Sequence, residues 1–336
     1  MKKKIAINGL GRIGKLSFRA LFSNPQIDIV AINDLATPET LAYLLKYDSI
    51  QGRYKIDDIH FEKDALIVEG KKIFIFQEKD PKNLPWKALR IDIVLECTGF
   101  FTSEEKAKLH LEAGSKKVLI SAPATSDNIK TIVFNVNDDI LNKSDNIVSG
   151  ASCTTNCLAP IVKVLNDEFG VNQAFMTTVH SYTNDQSLID QNHPKSIWTR
   201  RGRAAASNIV PSSTGAAKAI GLVIPELKGK IDGIAIRVPT LSGSLVDLTV
   251  ELNKEVTLEI LNNLFQKKAN ETLAYIQDPI VSSDIIGTSY GSLYDSNAVQ
   301  VLKDKPRFVK LISWYDNEMS YVSQLVRLLN KMTCLI

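Results

Sequence analysis

The run Ala151-Ser152-Cys153-Thr154-Thr155-Asn156-Cys157 sets a thiol among hydroxyls and an amide. The β-branched stretch Ile147-Val148-Ser149-Gly150 precedes it, and Leu158-Ala159-Pro160-Ile161-Val162-Lys163-Val164-Leu165 follows with apolar residues at helical spacing. The pattern predicts a strand-to-helix transition with Cys153 in the first helical turn. A helix N-terminus offers unpaired N–H groups and partial positive charge, which favour thiolate over thiol. Making thiolate the main form at neutral pH takes about 2.7 kcal/mol. A helix terminus supplies about 0.3–1 kcal/mol of that. A second partner is therefore needed, and a histidine is the natural one. A buried structural cysteine would sit among apolar neighbours instead. Cys157, one helical turn later, is the structural member of the pair.

A second chemical signature lies at the start. Gly9-Leu10-Gly11-Arg12-Ile13-Gly14 follows the apolar strand Lys4–Asn8 and opens a helix through Phe22. A further strand, Ile27–Asn33, ends at Asp34. Glycines at this spacing allow a tight turn and close approach of a pyrophosphate to the helix N-terminus. An acid about 20 residues on accepts hydrogen bonds from ribose hydroxyls. Its charge also repels an added phosphate, so NAD is expected over NADP. Ile91–Cys97 reads as another buried strand, closed by Thr98-Gly99 at the carboxyl edge where ligands lie in such sheets. Cys97 is expected to be an inert core thiol.

The elements that position these groups alternate strand and helix up to about residue 150, which predicts a doubly wound parallel sheet of the Rossmann type. The second half differs. Phe175–Tyr182 is a strand carrying His180, and the long polar stretch 183–208 holds Arg200, Arg201 and Arg203. A loop of that length is functional or an interface. Ser212-Ser213-Thr214-Gly215 is expected to open the helix Ala216–Leu222 and make an anion site. Ile231–Pro239 and Leu245–Leu252 are long strands with only one short crossover between them, which suits an antiparallel sheet. Residues 308–314 form another strand and 321–329 a terminal amphipathic helix. The second domain, 151–316, is thus α+β with a mostly antiparallel sheet. The first is 1–150, with 317–336 packed back on it.

Composition sets the bounds. The chain has 336 residues, 44% hydrophobic and 23% charged, as expected for two globular domains. A net charge of +3 argues for neither nucleic acid nor membrane. Met1-Lys2-Lys3-Lys4 lacks a following apolar core, so no signal peptide is expected. Four cysteines in a chain of this length make no disulfide framework and point to a reducing cytoplasm. The spacing of Cys153 and Cys157 is not that of a metal site, and no metal is expected.

Several ordered motifs together resemble the phosphorylating glyceraldehyde-3-phosphate dehydrogenase family across nearly the whole chain. They are Ala6–Gly14, Ala151–Asn156, His180-Ser181-Tyr182-Thr183, Ser213–Lys218, Arg237-Val238-Pro239 and Trp314–Glu318. The resemblance implies NAD as cofactor, glyceraldehyde 3-phosphate and inorganic phosphate as substrates, and a homotetramer. It implies Cys153 as nucleophile and His180 as base. It implies cofactor contacts from Gly9, Gly11, Arg12, Ile13, Gly14, Asp34, Lys79, Thr98, Ser121 and Asn317. Ser152, Thr154, Thr183, Arg201, Thr214, Gly215 and Arg237 would hold the two phosphates. Gln191-Asn192 stands where many bacterial relatives carry Leu-Pro against a neighbour's adenosine ribose, so some NADP use is expected. Two other readings share part of the pattern. Aspartate-semialdehyde dehydrogenase has the dinucleotide fold, a Cys and a His, but needs no cradle for a sugar phosphate. A non-catalytic nucleotide-binding regulator would have no use for Cys153 and His180.

Overall fold

The computed structural model describes residues 2–336. It contains two compact units. The first comprises Met1–Ile132, Asp138–Ala151 and Leu325–Ile336, and the second Val133–Asn137 and Ser152–Gln324.

In the first unit the chain runs β1 (Lys3–Asn8), α1 (Arg12–Phe22), β2 (Ile27–Asn33), α2 (Pro38–Lys46), β3 (Ile59–Glu62), β4 (Ala65–Val68), β5 (Lys71–Phe76), α3 (Trp86–Leu89), β6 (Ile93–Glu96), α4 (Glu104–Glu112), β7 (Lys117–Ile120), β8 (Lys130–Thr131) and β9 (Ile147–Ser149). One nine-stranded sheet has the order β3-β4-β5-β2-β1-β6-β7-β9-β8. Its centre is parallel, and β3, β4 and β5 form an antiparallel edge. The central strands β1, β6 and β7 are continuous apolar runs because helices cover both faces of a parallel sheet. Ile5, Ile7, Val94 and Leu119 are fully buried. The order reverses between β1 and β6, and Gly9 and Thr98 follow those two strands.

In the second unit come α5 (Cys153–Phe169), β10 (Val171–Ser181), β11 (Val210–Ser213), α6 (Ala216–Val223), β12 (Ile231–Val238), β13 (Ser244–Leu252), α7 (Leu258–Lys268), β14 (Leu273–Ile276), β15 (Ser292–Leu302) and β16 (Lys305–Tyr315). The last helix, α8 (Met319–Thr333), is shared between the two units. The seven-stranded sheet has the order β11-β12-β10-β13-β16-β15-β14 and is mostly antiparallel.

β12 and β13 lie in this mostly antiparallel sheet but not as neighbours, because β10 lies between them and pairs parallel with β12. The connection from β10 to β12 contains α6, and a crossover helix is what permits parallel pairing. Contrary to expectation, Ser212 and Ser213 do not lead into α6. They end β11, so only Thr214 and Gly215 remain before the helix.

The parallel pairing has a consequence for chemistry. It sets His180 in register with Arg237, on strands about 4.8 Å apart.

Candidate active site

Helix α5 begins at Cys153, as its flanking pattern predicts. Ser152 is extended and caps the helix, its Oγ accepting from the Thr155 N–H at 3.2 Å. The cap leaves the half-buried Cys153 in the first turn. Its Sγ lies 3.4 Å from Nε2 of His180, which is 4% exposed. On the other side of the ring, Nδ1 is 2.6 Å from the Ser181 carbonyl oxygen. A carbonyl only accepts, and the two hydrogens of the nearby Arg237 Nη1 go to the Ser181 carbonyl and Thr183 Oγ1 rather than to the ring, so Nδ1 carries the proton and Nε2 presents its lone pair to the sulfur. Tyr315 packs edge-on to the ring at 5.9 Å.

Arg237 completes the group. Its Nη1 donates to the Ser181 carbonyl at 3.0 Å and to Thr183 Oγ1 at 3.1 Å. Its Nε is buried without a hydrogen-bond partner. A buried unpartnered guanidinium donor beside a hydroxyl is suited to an anionic ligand. Thr183 donates to Asp185 Oδ1 at 2.5 Å, and Arg201 pairs with the same carboxylate. Arg201 Nε also donates to Ser212 Oγ at 2.9 Å. Burial pushes Asp185 up, but the Thr183 hydroxyl and the charges of Arg201 and Arg237 outweigh it, leaving the carboxyl below its usual range. Asp185 therefore occupies two of the groups expected to hold phosphate, a role its sequence position did not signal.

The electrostatics differ from the sequence expectation of a ready-made thiolate. Burial pushes the Cys153 thiol up, with Arg237 and the Thr154 hydrogen bonds opposing it. Burial and then the Arg237 charge push His180 down to about 3. A lone thiolate and a lone imidazolium are both disfavoured. The two charges together are another matter, because at 3.4 Å they attract by about 5 kcal/mol at an effective dielectric of 20. Both directions favour the neutral pair over either lone charge, and the 3.4 Å approach sets the sulfur within reach of the nitrogen for proton transfer.

Thr154, expected to hold phosphate, is turned inward. It is 4% exposed, and its hydroxyl meets Tyr315 Oη at 2.8 Å, which also meets Thr178 Oγ1 at 2.8 Å. The helical rotation that points Cys153 outward turns Thr154 into the core. Thr214 Oγ1 accepts from the Ala216 N–H at 3.2 Å at the start of α6, which packs on α5. A Cβ at Gly215 would meet nothing within 4 Å.

Asn317, 6% exposed, also belongs to this unit, and its Oδ1 lies 3.1 Å from Ser244 Oγ and 3.2 Å from Ser242 Oγ. Cys157 is fully buried against Ser292 and the carbonyl oxygen of Ser313, its thiol pushed up to about 12 by burial.

In the first unit a cavity of about 470 Å³ is lined by Gly9, Gly11, Asp34, Lys79 and Thr98 among others. Gly9 has φ +89°, where a side chain would be strained. A Cβ on Gly14 would stand 1.9 Å from the Gly9 carbonyl oxygen, so this glycine is required by helix–strand packing. A Cβ on Gly11 would meet nothing within 4 Å. The chain itself does not need glycine there, and the open space suits a pyrophosphate. Asp34 Oδ2 accepts from the Leu10 N–H at 2.7 Å and Oδ1 from the Ala36 N–H at 2.9 Å. These bonds aim the carboxylate and leave it further lone pairs.

Arg12, Ile13, Gly14 and Ser121 lie outside the lining. The Arg12 guanidinium is held by Asp48 at 2.6 Å, together with Lys15 at 2.7 Å. Cys97 is not a core residue. It is half-buried and lines the cavity, with a thiol pushed up to about 12 by burial. Gln191 donates to Ser187 Oγ within its own loop at 3.1 Å.

No group of His, Cys, Asp and Glu among the described residues is arranged to hold a metal ion. No helix among them is long and apolar enough to cross a membrane.

Comparison with known proteins gives a consistent result. Residues 3–104 match the family described as glyceraldehyde 3-phosphate dehydrogenase, NAD binding domain, and residues 152–317 match its C-terminal domain. Similar proteins include glyceraldehyde-3-phosphate dehydrogenases of Clostridium pasteurianum, 55% identical over 97% of both chains, and of Clostridium acetobutylicum, 54% identical over 97% of both. Another, from Mycoplasma pneumoniae, is 56% identical over 97% of this chain and 96% of its own.

Proposed function

Because the chain belongs to the glyceraldehyde-3-phosphate dehydrogenase family, we propose that Cys153 and His180 carry its reaction, with Arg237 and Thr183 holding phosphate. The reaction is the NAD-dependent oxidation of glyceraldehyde 3-phosphate, with inorganic phosphate, to 1,3-bisphosphoglycerate in glycolysis. The observation that carries the residue assignment is the 3.4 Å approach of Cys153 Sγ to a His180 nitrogen whose ring partner is tied to the Ser181 carbonyl.

An aldehyde requires a nucleophile that can later leave, and sulfur serves both needs. Cys153 adds to the carbonyl carbon while its proton passes to His180 Nε2. The imidazolium is steadied through Nδ1–H by the Ser181 carbonyl, and its Nε2–H faces the new oxyanion beside the Cys153 N–H. Gly9, Gly11 and Asp34 would hold NAD, which would supply the hydride acceptor, and Asn317 would orient its carboxamide. Cys153 then holds a thioester. His180 neutralises the oxyanion of the second addition, and Cys153 departs as phosphate takes the acyl group. Arg237, Thr183 and Arg201 hold one phosphate, with the Asp185 contact yielding to it. Ser152, Thr214 and Gly215 serve the other, while Thr154 acts from beneath through Tyr315.

Subunit association is part of the same reading. Leu188, Ile189, Ile197 and Trp198 on the 183–208 loop are 76–87% exposed, more apolar surface than an isolated loop normally leaves in water. A homotetramer that covers them, working in the cytoplasm, fits this surface and the four unpaired cysteines. Sedimentation showing a fully active monomer would overturn the assembly.

The decisive assay for the residue roles follows NADH from glyceraldehyde 3-phosphate with and without phosphate. Multiple turnovers are expected only with phosphate, none in Cys153→Ser, and a rate about 10²–10⁴-fold lower in His180→Asn. Sustained turnover by Cys153→Ser would sink the assignment.

A further inference from the structure

The first unit contains a buried polar network that the reaction as described does not use. Its centre is Glu96, the last residue of β6 and 1% exposed. Asn8 Nδ2 donates to Glu96 Oε2 at 2.5 Å. The Thr98 N–H donates to Oε1 at 2.7 Å, and the Thr98 hydroxyl donates to the same oxygen. The fourth partner is His110 Nε2, 3.1 Å from Oε2 and fully buried on α4. Its role follows from the other ring nitrogen. His110 Nδ1 lies 3.1 Å from the indole Nε1 of fully buried Trp86, and an indole nitrogen only donates. Nδ1 is therefore the acceptor, and Nε2–H points at Glu96. All four partners donate, which is the pattern only a carboxylate satisfies.

The network reaches the cofactor cavity by three routes. Asn8 precedes Gly9, the turn residue. Asn8 Oδ1 accepts from Asn33 Nδ2 at 2.7 Å, and Asn33 precedes Asp34. Asn33 also brackets Glu78, beside Lys79, accepting from its N–H and donating to its carbonyl, both at 2.9 Å. Thr98 lines the cavity itself. A buried carboxylate with four donors is costly to desolvate and is retained only where its partners are held fast.

We propose that Glu96 is a positioning residue for cofactor binding, its carboxylate locking Asn8, Thr98 and, through Asn8, Asn33 so that Gly9 and Asp34 meet the dinucleotide in fixed geometry. This rests on the reading that the cavity at Gly9 and Asp34 takes NAD.

Glu96→Gln tests it in the full-length enzyme. The amide nitrogen must face at least one donor, whichever way it turns. KM for NAD is expected to rise about tenfold or more, while kcat at saturating NAD and KM for the aldehyde stay within about twofold. A purely structural role would lower the melting temperature without separating the two KM values, and that result overturns the proposal. Should Glu96→Gln not fold, Asn33→Ala leaves all four donors on Glu96 and cuts the route to Asp34 together with the bracket on Glu78. It is expected to raise KM for NAD selectively, and an unchanged value overturns the proposal. Asp34→Ala run in parallel separates the two levels. If it weakens NAD binding and Glu96→Gln does not, the Glu96 role alone has failed. If neither does, the cofactor reading of the cavity has failed and the Glu96 role falls with it.

Discussion

Arg237 Nη1 lies 3.1 Å from Nδ1 of His180, its register partner on the neighbouring parallel strand. A permanent cation at that distance works against protonation of the ring, in the same direction as burial. One side chain thus offers an anion-binding fork and keeps the base neutral until Cys153 delivers a proton.

The first prediction concerns pH and stability. His180 titrates near 3 in the folded chain and near 6.5 when unfolded. Below pH 6.5 the unfolded state binds more protons at this residue, so stability falls with falling pH through that window. Between pH 7 and pH 5 the loss from this residue is about 2 kcal/mol per chain. Denaturant midpoints at pH 5, 6 and 7 should show that slope, and His180→Gln should flatten it. Equal slopes in the two proteins would contradict the buried neutral histidine.

The second concerns the two thiols of α5. A small alkylating agent should label one cysteine per chain in the helix, Cys153, with loss of activity. Cys157 should remain unlabelled, because it is fully buried and its thiol sits near 12. Cys157→Ser should keep most activity. Mass spectrometry of the labelled peptide decides, and preferential modification of Cys157 would reverse the assignment.

The third uses two glycines of one loop. Gly14→Ala drives a methyl into the Gly9 carbonyl, and overpacking of this kind costs about 1–3 kcal/mol. The melting temperature and NAD affinity should both fall. Gly11→Ala meets nothing of the chain, so its melting temperature should hold while NAD affinity drops. If Gly11→Ala bound NAD normally, the pyrophosphate would not pass there.

The fourth concerns cofactor choice. A 2′-phosphate near Asp34 would meet a like charge costing about 4 kcal/mol at 4 Å and an effective dielectric of 20. Lost ribose hydrogen bonds to a charged acceptor add about 1.5–3 kcal/mol. At least a hundredfold preference for NAD is expected in kcat/KM. Gln191 is turned into its own loop, so Asp34→Ala should raise NADP use more than changes at Gln191. Equal efficiency with both cofactors in the unmodified enzyme would refute this.

Local patterns in the chain carried much of this. The Gly9–Gly14 run, the apolar strands around it and Asp34 mark a dinucleotide fold, because backbone approach and helix start are short-range requirements. The start of α5 at Cys153 was legible for the same reason. His180 and Arg237 were identifiable as residues but not as neighbours. They are 57 positions apart, and only the parallel pairing of β10 with β12 joins them. The sequence does not report that pairing, because a short crossover says nothing about which strand slides in between.

Sequence by itself determined which groups were present for chemistry and which helix or strand end would carry each, since periodicity and capping act within a few residues. Tertiary structure decided their protonation and their company. Burial, which no local pattern reports, pushes the His180 imidazole down and the Cys153 thiol up. It turns Thr154 inward to Tyr315, places Asp185 across Thr183 and Arg201, and gathers four donors on Glu96. Desolvation and long-range hydrogen bonds depend on what the rest of the chain brings near, and that is settled only when the fold closes.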